Sequence, residues 1–228
     1  MTRKIDFSFD DFPKSYQYES RRQKAATMLA VLKAELGSRP LSGIEVLDVG
    51  CATGLVARFL SQSVRSVTGI DVLPESIAIA KKENPGPNIR YLDFDGKKMP
   101  FSDAAFDAAV LNHVLAYVPL AGQTDFVAEI FRVLRPGGLL YLGHANSLYC
   151  VFMKGVNVVL KRDLIPLLEK HGTVSEYTGR LLTDPAAFAM PQNFFSRVLS
   201  PVLKAAPGFL RGLAAAMAPV FVLAARKR

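Results

Sequence analysis

The strongest constraint in this chain is a rhythm. Five short runs rich in valine, isoleucine and leucine (IEVLDV, RSVTGIDV, NIRYLDF, FDAAVL and LLYLGH) alternate with segments of helical spacing, GLVARFLSQS, LPESIAIAKKEN and QTDFVAEIFRVLRPGG. Runs this short and apolar read as strands buried on both faces, and strands that alternate with helices in this way belong to a parallel sheet. The class is therefore α/β, a sheet with helices on both faces. Ahead of the first run, Ala25, Met28, Leu29 and Leu32 mark one face of a helix, and Pro40 and Gly43 punctuate the approach to the strand. Beyond LLYLGH the rhythm fails. Leu148 to Leu168 is apolar with scattered lysines, Asp184-Pro185 reads as a helix start, and PVFVLAARKR reads as a final strand. With 228 residues and neither repeat nor linker, the chain reads as one domain: a helical cap (1–42), a ligand-binding core (43–145) and a region (146–228) that covers the substrate and supplies the last strands.

The first strand runs into VLDVGCATGL, Val46 to Leu55. A strand ending in Asp48 delivers the chain to a tight turn at Gly50, and Gly54 lets the next helix begin close to the strand, so a ligand can approach the backbone. Free N–H groups at that helix start face it. The second strand ends in Asp71, about twenty residues later, where an acid can accept both hydroxyls of a ribose. The third ends near Asp95, in DFDGKKMPF, where a carboxylate can accept from the amine of adenine. Three carboxylates at successive strand ends make a poor site for pyrophosphate. They suit a ligand with a ribose, an amine and a positive charge.

These residues resemble the class I S-adenosylmethionine-dependent methyltransferases from roughly Glu45 to Gly143. VLDVGCATG is similar to the family's first motif, VTGIDV to its ribose loop, FDGKKMPFSDAAFDAAV to its adenine segment and RVLRPGGLLYLG to the turn before strand five. Ala52 stands where the motif often has a third glycine. The resemblance implies a Rossmann-like, seven-stranded mixed sheet of order 3-2-1-4-5-7-6, with PVFVLAARKR as the antiparallel hairpin strand and the sixth strand before Pro207. It implies S-adenosyl-L-methionine as cofactor, with Asp48, Gly50 and the loop Cys51, Ala52, Thr53 and Gly54 on the methionine part. Asp71 and Val72 would meet the ribose, Asp95 and Gly96 the adenine, and Asn112 would lie beneath the sulfonium. Arg21 or Arg22 would pair with the cofactor carboxylate.

Methyl transfer from a sulfonium is an in-line displacement, so alignment and exclusion of water matter most, and a base helps when the acceptor is a hydroxyl. His113, directly after strand four, and His144, ending strand five, are the candidates for that base, because both fall at the carboxyl edge of the sheet. His171 lies in the irregular region and carries no expected role. Three dispersed histidines form no metal cluster, and Cys51 in the glycine loop reads as a small packing residue.

The segments expected to cover the acceptor, FDDFPKSYQY, AYVPLAGQ and ANSLYCVFMKGVNVVLKRDLIPLLEKHG, are rich in Phe, Tyr, Leu, Val and Met. They predict a small lipophilic acceptor, methylated at oxygen, and GHANSLY is loosely similar to a turn of the ubiquinone-biosynthesis O-methyltransferases. The alternatives are a non-catalytic cofactor-binding regulator and methylation at nitrogen, carbon or a lipid headgroup. A nicotinamide-dependent oxidoreductase fits less well, since the GxGxxG pattern is absent from DVGCATG. The net charge is +8, and no acid follows Asp184 while Arg197, Lys204, Arg211, Arg226, Lys227 and Arg228 do. Such a basic, apolar tail reads either as solvated helix faces or as a contact with an anionic membrane surface, and its apolar side also allows a homodimer. Basic residues are not interleaved with exposed aromatics, which argues against nucleic acid. Two isolated cysteines and the lack of a signal-peptide pattern predict a cytoplasmic protein.

Overall fold

The computed structural model describes residues 14–145, 157, 159–178, 205, 207, 208 and 220–228. The helix start expected at Asp184-Pro185 and the GHANSLY turn beyond Ala145 lie outside the described residues. A long helix α1 (Lys14–Leu36) leads into β1 (Glu45–Val49), α2 (Leu55–Ser61), β2 (Ser66–Asp71), α3 (Pro74–Glu83), β3 (Ile89–Asp93) and β4 (Phe106–Asn112). Then follow α4 (Gln123–Val133), β5 (Leu134–Ala145), α5 (Lys161–Glu169), β6 (Gly172–Glu176) and β7 (Val220–Lys227). The seven strands form one sheet in the order β3-β2-β1-β4-β5-β7-β6. Strands β1 to β5 pair in parallel, while β7 runs antiparallel between β5 and β6. This is the expected order, and the sixth strand is Gly172–Glu176, whose half-polar GTVSE suits an edge position.

Alternation along the strands sorts the core into two layers. Val46, Val67, Ala108, Val110 and Tyr141 point to the layer that holds Ala25, Met28, Val31 and Leu32 of α1, with Ala57 of α2 and Ile77 of α3. Leu47, Ile70, Ala109, Leu111 and Leu140 point to the other, with Phe126, Ile130 and Phe131 of α4 and Leu164 of α5. Since the side-chain period of a strand is two, Asp48, Asp71 and Asn112 fall on the α1 side at the carboxyl ends of their strands. Each buried aliphatic side chain contributes about 1.5–3 kcal/mol, so the α1 stripe alone fixes how that helix lies on the sheet.

The helix spans the sheet from edge to edge. Near its N-terminal end Arg21 shares its field with Asp48, at the carboxyl edge. Near its other end the Glu35 carbonyl accepts from Arg226 at the foot of β7, and the Glu35 carboxylate accepts from the Tyr177 hydroxyl at 2.8 Å. The foot of the sheet is closed by ion pairs. Asp107, 3% exposed, takes Arg39 at 2.6 Å, Arg135 at 2.7 Å and the Glu45 N–H at 2.9 Å. Lys227 donates to the Leu134 carbonyl at 2.7 Å and Arg228 to the Glu169 carbonyl at 3.1 Å. The last three cations of the basic tail are therefore engaged within the fold, on the edge away from Asp48. Arg197, Lys204 and Arg211 lie outside the described residues. No helix among the described residues is long and apolar enough to cross a membrane.

Candidate active site

The glycine loop is held from both sides. Gly50 takes a left-handed φ of 72°, and its N–H and that of Cys51 donate to the Ile70 carbonyl at 2.8 and 3.0 Å, tying the loop to β2. A Cβ on Gly50 would stand 2.3 Å from a methyl of Val114, so the bare backbone is required for packing as well as for conformation. Ala52 also adopts a positive φ, 48°, which accounts for the glycine more usual there. Its N–H donates to Asp71 Oδ2 at 2.8 Å, and Leu73 N–H donates to Asp71 Oδ1 at 3.0 Å. Asp71 is thus a clasp between two turns, with one lone pair on each oxygen still open.

Beneath the loop lie two residues that motif reading missed. The Tyr91 hydroxyl reaches the carbonyls of Gly54 at 3.1 Å and Asn84 at 2.9 Å, and Asn84 Nδ2 donates to the Thr53 carbonyl at 2.8 Å. Gly54 leaves room for that phenol, since a Cβ there would come within 2.6 Å of its oxygen. A tyrosine on a strand whose period already explains it gives no sequence signal of this role. Cys51 packs in the same place, and burial, followed by Asp48 and Asp71, pushes its thiol well above the ordinary value, so it is inert.

Asp48 differs from Asp71. It is 5% exposed, and its Oδ2 has no hydrogen-bond partner among the described residues. Burial, then the charge of Asp71, raises its carboxyl to about 7, and Arg21 opposes the shift only in part. Arg22 points elsewhere: its guanidinium pairs with Glu19 at 2.5 Å on the exposed face. Of the two arginines, Arg21 is the one beside the loop. Asp95 lies two residues past β3, exposed, its Oδ1 accepting from Lys97 and Lys98 N–H at 2.8 and 3.0 Å. The next residue, Gly96, has a φ of 77° and faces Val72, and the side chains of Val72 and Leu73 are more than half exposed at 53% and 55%. An acidic turn beside an exposed apolar step thus lies next to Asp71.

Residues 47–142 match the family described as "Methyltransferase domain". Among curated relatives, the malonyl-[acyl-carrier protein] O-methyltransferase of Pectobacterium atrosepticum is 30% identical over 122 residues, 54% of this chain and 44% of that protein. The ubiquinone biosynthesis O-methyltransferase of Methylocella silvestris is 36% identical over 111 residues, 47% of this chain and 42% of that protein. The matched part spans less than half the length of these relatives. The solved N-methyltransferase NodS of Bradyrhizobium japonicum, in complex with S-adenosyl-l-homocysteine, superposes with a TM-score of 0.62 at 19% identity. That likeness covers 99% of this chain and 93% of NodS, and it establishes the fold. Residues 47–142 form a class I methyltransferase domain. The cofactor of this family is S-adenosyl-L-methionine.

Around the methyltransferase loop, β4 and β5 deliver three further residues. Asn112 ends β4, and Gly143 opposite it has no room for a side chain, because a Cβ would lie 2.4 Å from Asn112 Oδ1. His113 follows in a left-handed conformation, φ 60°, with its N–H donating to the Gly143 carbonyl at 2.8 Å. A positive φ on a histidine is uncommon and marks a place where the surroundings dictate the backbone. Burial, then Lys24, His144 and Arg21, pull its imidazolium down to about 3. His113 is neutral at physiological pH and a weak base. His144 is 1% exposed and stacks on Phe221 with ring centroids 5.4 Å apart, sealed inside the end of the sheet. The turns after β4 are fastened by Asn157 Nδ2, which donates to Ala116 and Val118 carbonyls at 3.1 and 2.9 Å, and by Gln123 to Leu115 at 3.0 Å. Those turns leave Tyr117 and Leu120 exposed.

Proposed function

We propose that this protein transfers a methyl group from S-adenosyl-L-methionine to an oxygen of a small, lipophilic acceptor. The observation that carries the reading is Asp48, one of whose buried carboxyl oxygens has no hydrogen-bond partner among the described residues, in the glycine loop and within the field of Arg21. Such an oxygen costs about 1–3 kcal/mol unless a ligand supplies a donor. The α-ammonium of the cofactor is a charge-assisted donor of the right sign, and Arg21 suits its carboxylate. Gly50, Cys51, Ala52, Thr53 and Gly54 would line the methionine part. Asp71 keeps one lone pair on each oxygen for the ribose hydroxyls, beside Val72. Asp95, Gly96 and the exposed Leu73 face would take the adenine, and Asn112 would lie at the sulfonium. The cofactor supplies an electrophilic methyl; the chain's own residues bind it, orient the acceptor and exclude water. In this reading residues 1–42 cap the site, 43–145 hold the cofactor, and 146–228 cover the acceptor and complete the sheet, all as one domain.

The oxygen and the lipophilic character rest on the apolar turns after β4 and on the similarity to two O-methyltransferases. Because His113 is a weak base, its part is to position the acceptor by a hydrogen bond. Calorimetric titration of S-adenosylhomocysteine into the wild type and Asp48→Asn tests the reading. Micromolar binding by the wild type, at least a hundredfold weaker in the variant, is expected. Absence of binding by the wild type overturns it.

A further inference from the structure

The inward stripe of α1 does not stop at its last apolar residue. Going back from Met28 through Ala25, the same stripe continues to Lys24 and Arg21, one helical turn apart, and both lie within the fields of the carboxyl-edge groups. The charge of Asp48 acts on Arg21, and that of Lys24 on His113. Lys24 differs from the other lysines of intermediate exposure among the described residues. Lys161 pairs with Glu176 at 2.7 Å and Lys227 with a carbonyl at 2.7 Å. Among the described residues, the half-buried Lys24 ammonium has neither a hydrogen bond nor an ion pair. Burial, then Arg21, lower it to about 8. An ammonium drawn partly out of water with its donors unused is unfavourable, and a ligand anion removes that cost.

We infer that the acceptor is an acid, bound with its carboxylate seated on Lys24 beside His113. This rests on the methyltransferase reading above. Three features converge on it. First, once Arg21 meets the cofactor carboxylate and Asp48 its ammonium, the sulfonium and Lys24 remain as positive charges on this side, and an acceptor carboxylate offsets them. Second, a carboxylate is ionised near neutrality, so it asks nothing of His113 as a base. Third, Lys24 is on a helix anchored just C-terminal to it by Met28, Val31 and Leu32, all fully buried, so the ammonium is presented from a firm support.

The test uses the full chain saturated with S-adenosylhomocysteine and titrated with octanoate and with 1-octanol, two ligands that differ in the carboxylate. The wild type should bind octanoate at least tenfold more tightly than 1-octanol. Lys24→Met should abolish that preference while keeping its S-adenosylhomocysteine affinity within threefold, and Lys24→Arg should restore it. Equal affinities in the wild type, no binding of octanoate, or an undiminished preference in Lys24→Met each overturn the inference. If Lys24→Met fails to fold, the wild-type comparison together with Lys24→Arg still decides. Failure of the wild type to bind S-adenosylhomocysteine would instead remove the methyltransferase reading itself.

Discussion

Two aspartates on adjacent parallel strands, Asp48 at the carboxyl end of β1 and Asp107 near the amino end of β4, are equally hidden, at 5% and 3% exposure, and oppositely treated. Burial would raise both. At Asp107 the Glu45 N–H, Arg39 and Arg135 outweigh it and hold the carboxyl below the ordinary range. At Asp48 nothing comparable answers, and the carboxyl rises to about 7. The same residue type in the same sheet is structural where its partners come from the chain and, in the proposed function, binds the ligand where they do not.

The largest effects should come from removing the charge at the two positions. Asp48→Asn should weaken S-adenosylmethionine binding at least a hundredfold in calorimetry while leaving the melting temperature equal or higher. Asp107→Ala should do the reverse, costing about 2 kcal/mol in denaturant unfolding, below the 3–5 kcal/mol of a fully buried pair because Arg39 is half exposed, with binding nearly unchanged. A loss of stability at Asp48 equal to that at Asp107 would erase the contrast.

Titration sharpens it. Asp48 binds its proton more tightly folded than unfolded, so the ligand-free protein should lose stability as pH rises from about 4 to about 7. Asp107 has the opposite sign: its contribution is present above the unfolded carboxyl value and is lost as pH falls through the lower folded one. Melting curves of wild type, Asp48→Asn and Asp107→Asn from about pH 2 to about pH 7 should separate the two slopes, the Asp107 one below about pH 4 and the Asp48 one above it. Saturating S-adenosylhomocysteine should flatten only the neutral one.

Much of this was legible because burial writes itself into sequence. The alternation of strands and helices, the glycine loop, Asp48 and Asp71 follow from apolar runs and from residue types that turns demand, whereas the strand order followed from the family resemblance. Tyr91, Asn84 and Asn157 were not legible, because a hydrogen bond to a distant carbonyl leaves no spacing to read. Arg21 and Arg22 were indistinguishable in a helix whose charged residues occupy several faces, and only the packing of Met28 and Leu32 decides which of them turns inward. Nor was it legible that Arg226, Lys227 and Arg228 bond to Glu35, Leu134 and Glu169, since these partners too are distant in sequence.

Smaller effects remain at the site edge. Ala52→Gly should relieve its left-handed strain and stabilise by about 0.5 kcal/mol, an amount set by the offsetting entropy of glycine in the unfolded chain. Thermal unfolding would detect it, and a destabilisation would mean that the Ala52 methyl has a role in the loop. Arg22→Ala should change neither binding nor stability by more than about 0.5 kcal/mol, since its ion pair with Glu19 is solvent-exposed. A tenfold loss of cofactor affinity would return Arg22 to the site.

The position of β7 has a consequence for how the molecule assembles. Strands β1 to β5 find partners in roughly the order in which they are made, but β6 touches the sheet only through β7, which follows it after a long interval. During synthesis the sheet can zip from β3 to β5, while β6 waits with an empty neighbour's place. The slow step of folding should therefore be insertion of β7, a late, long-range closure that also brings Arg226 to the end of α1.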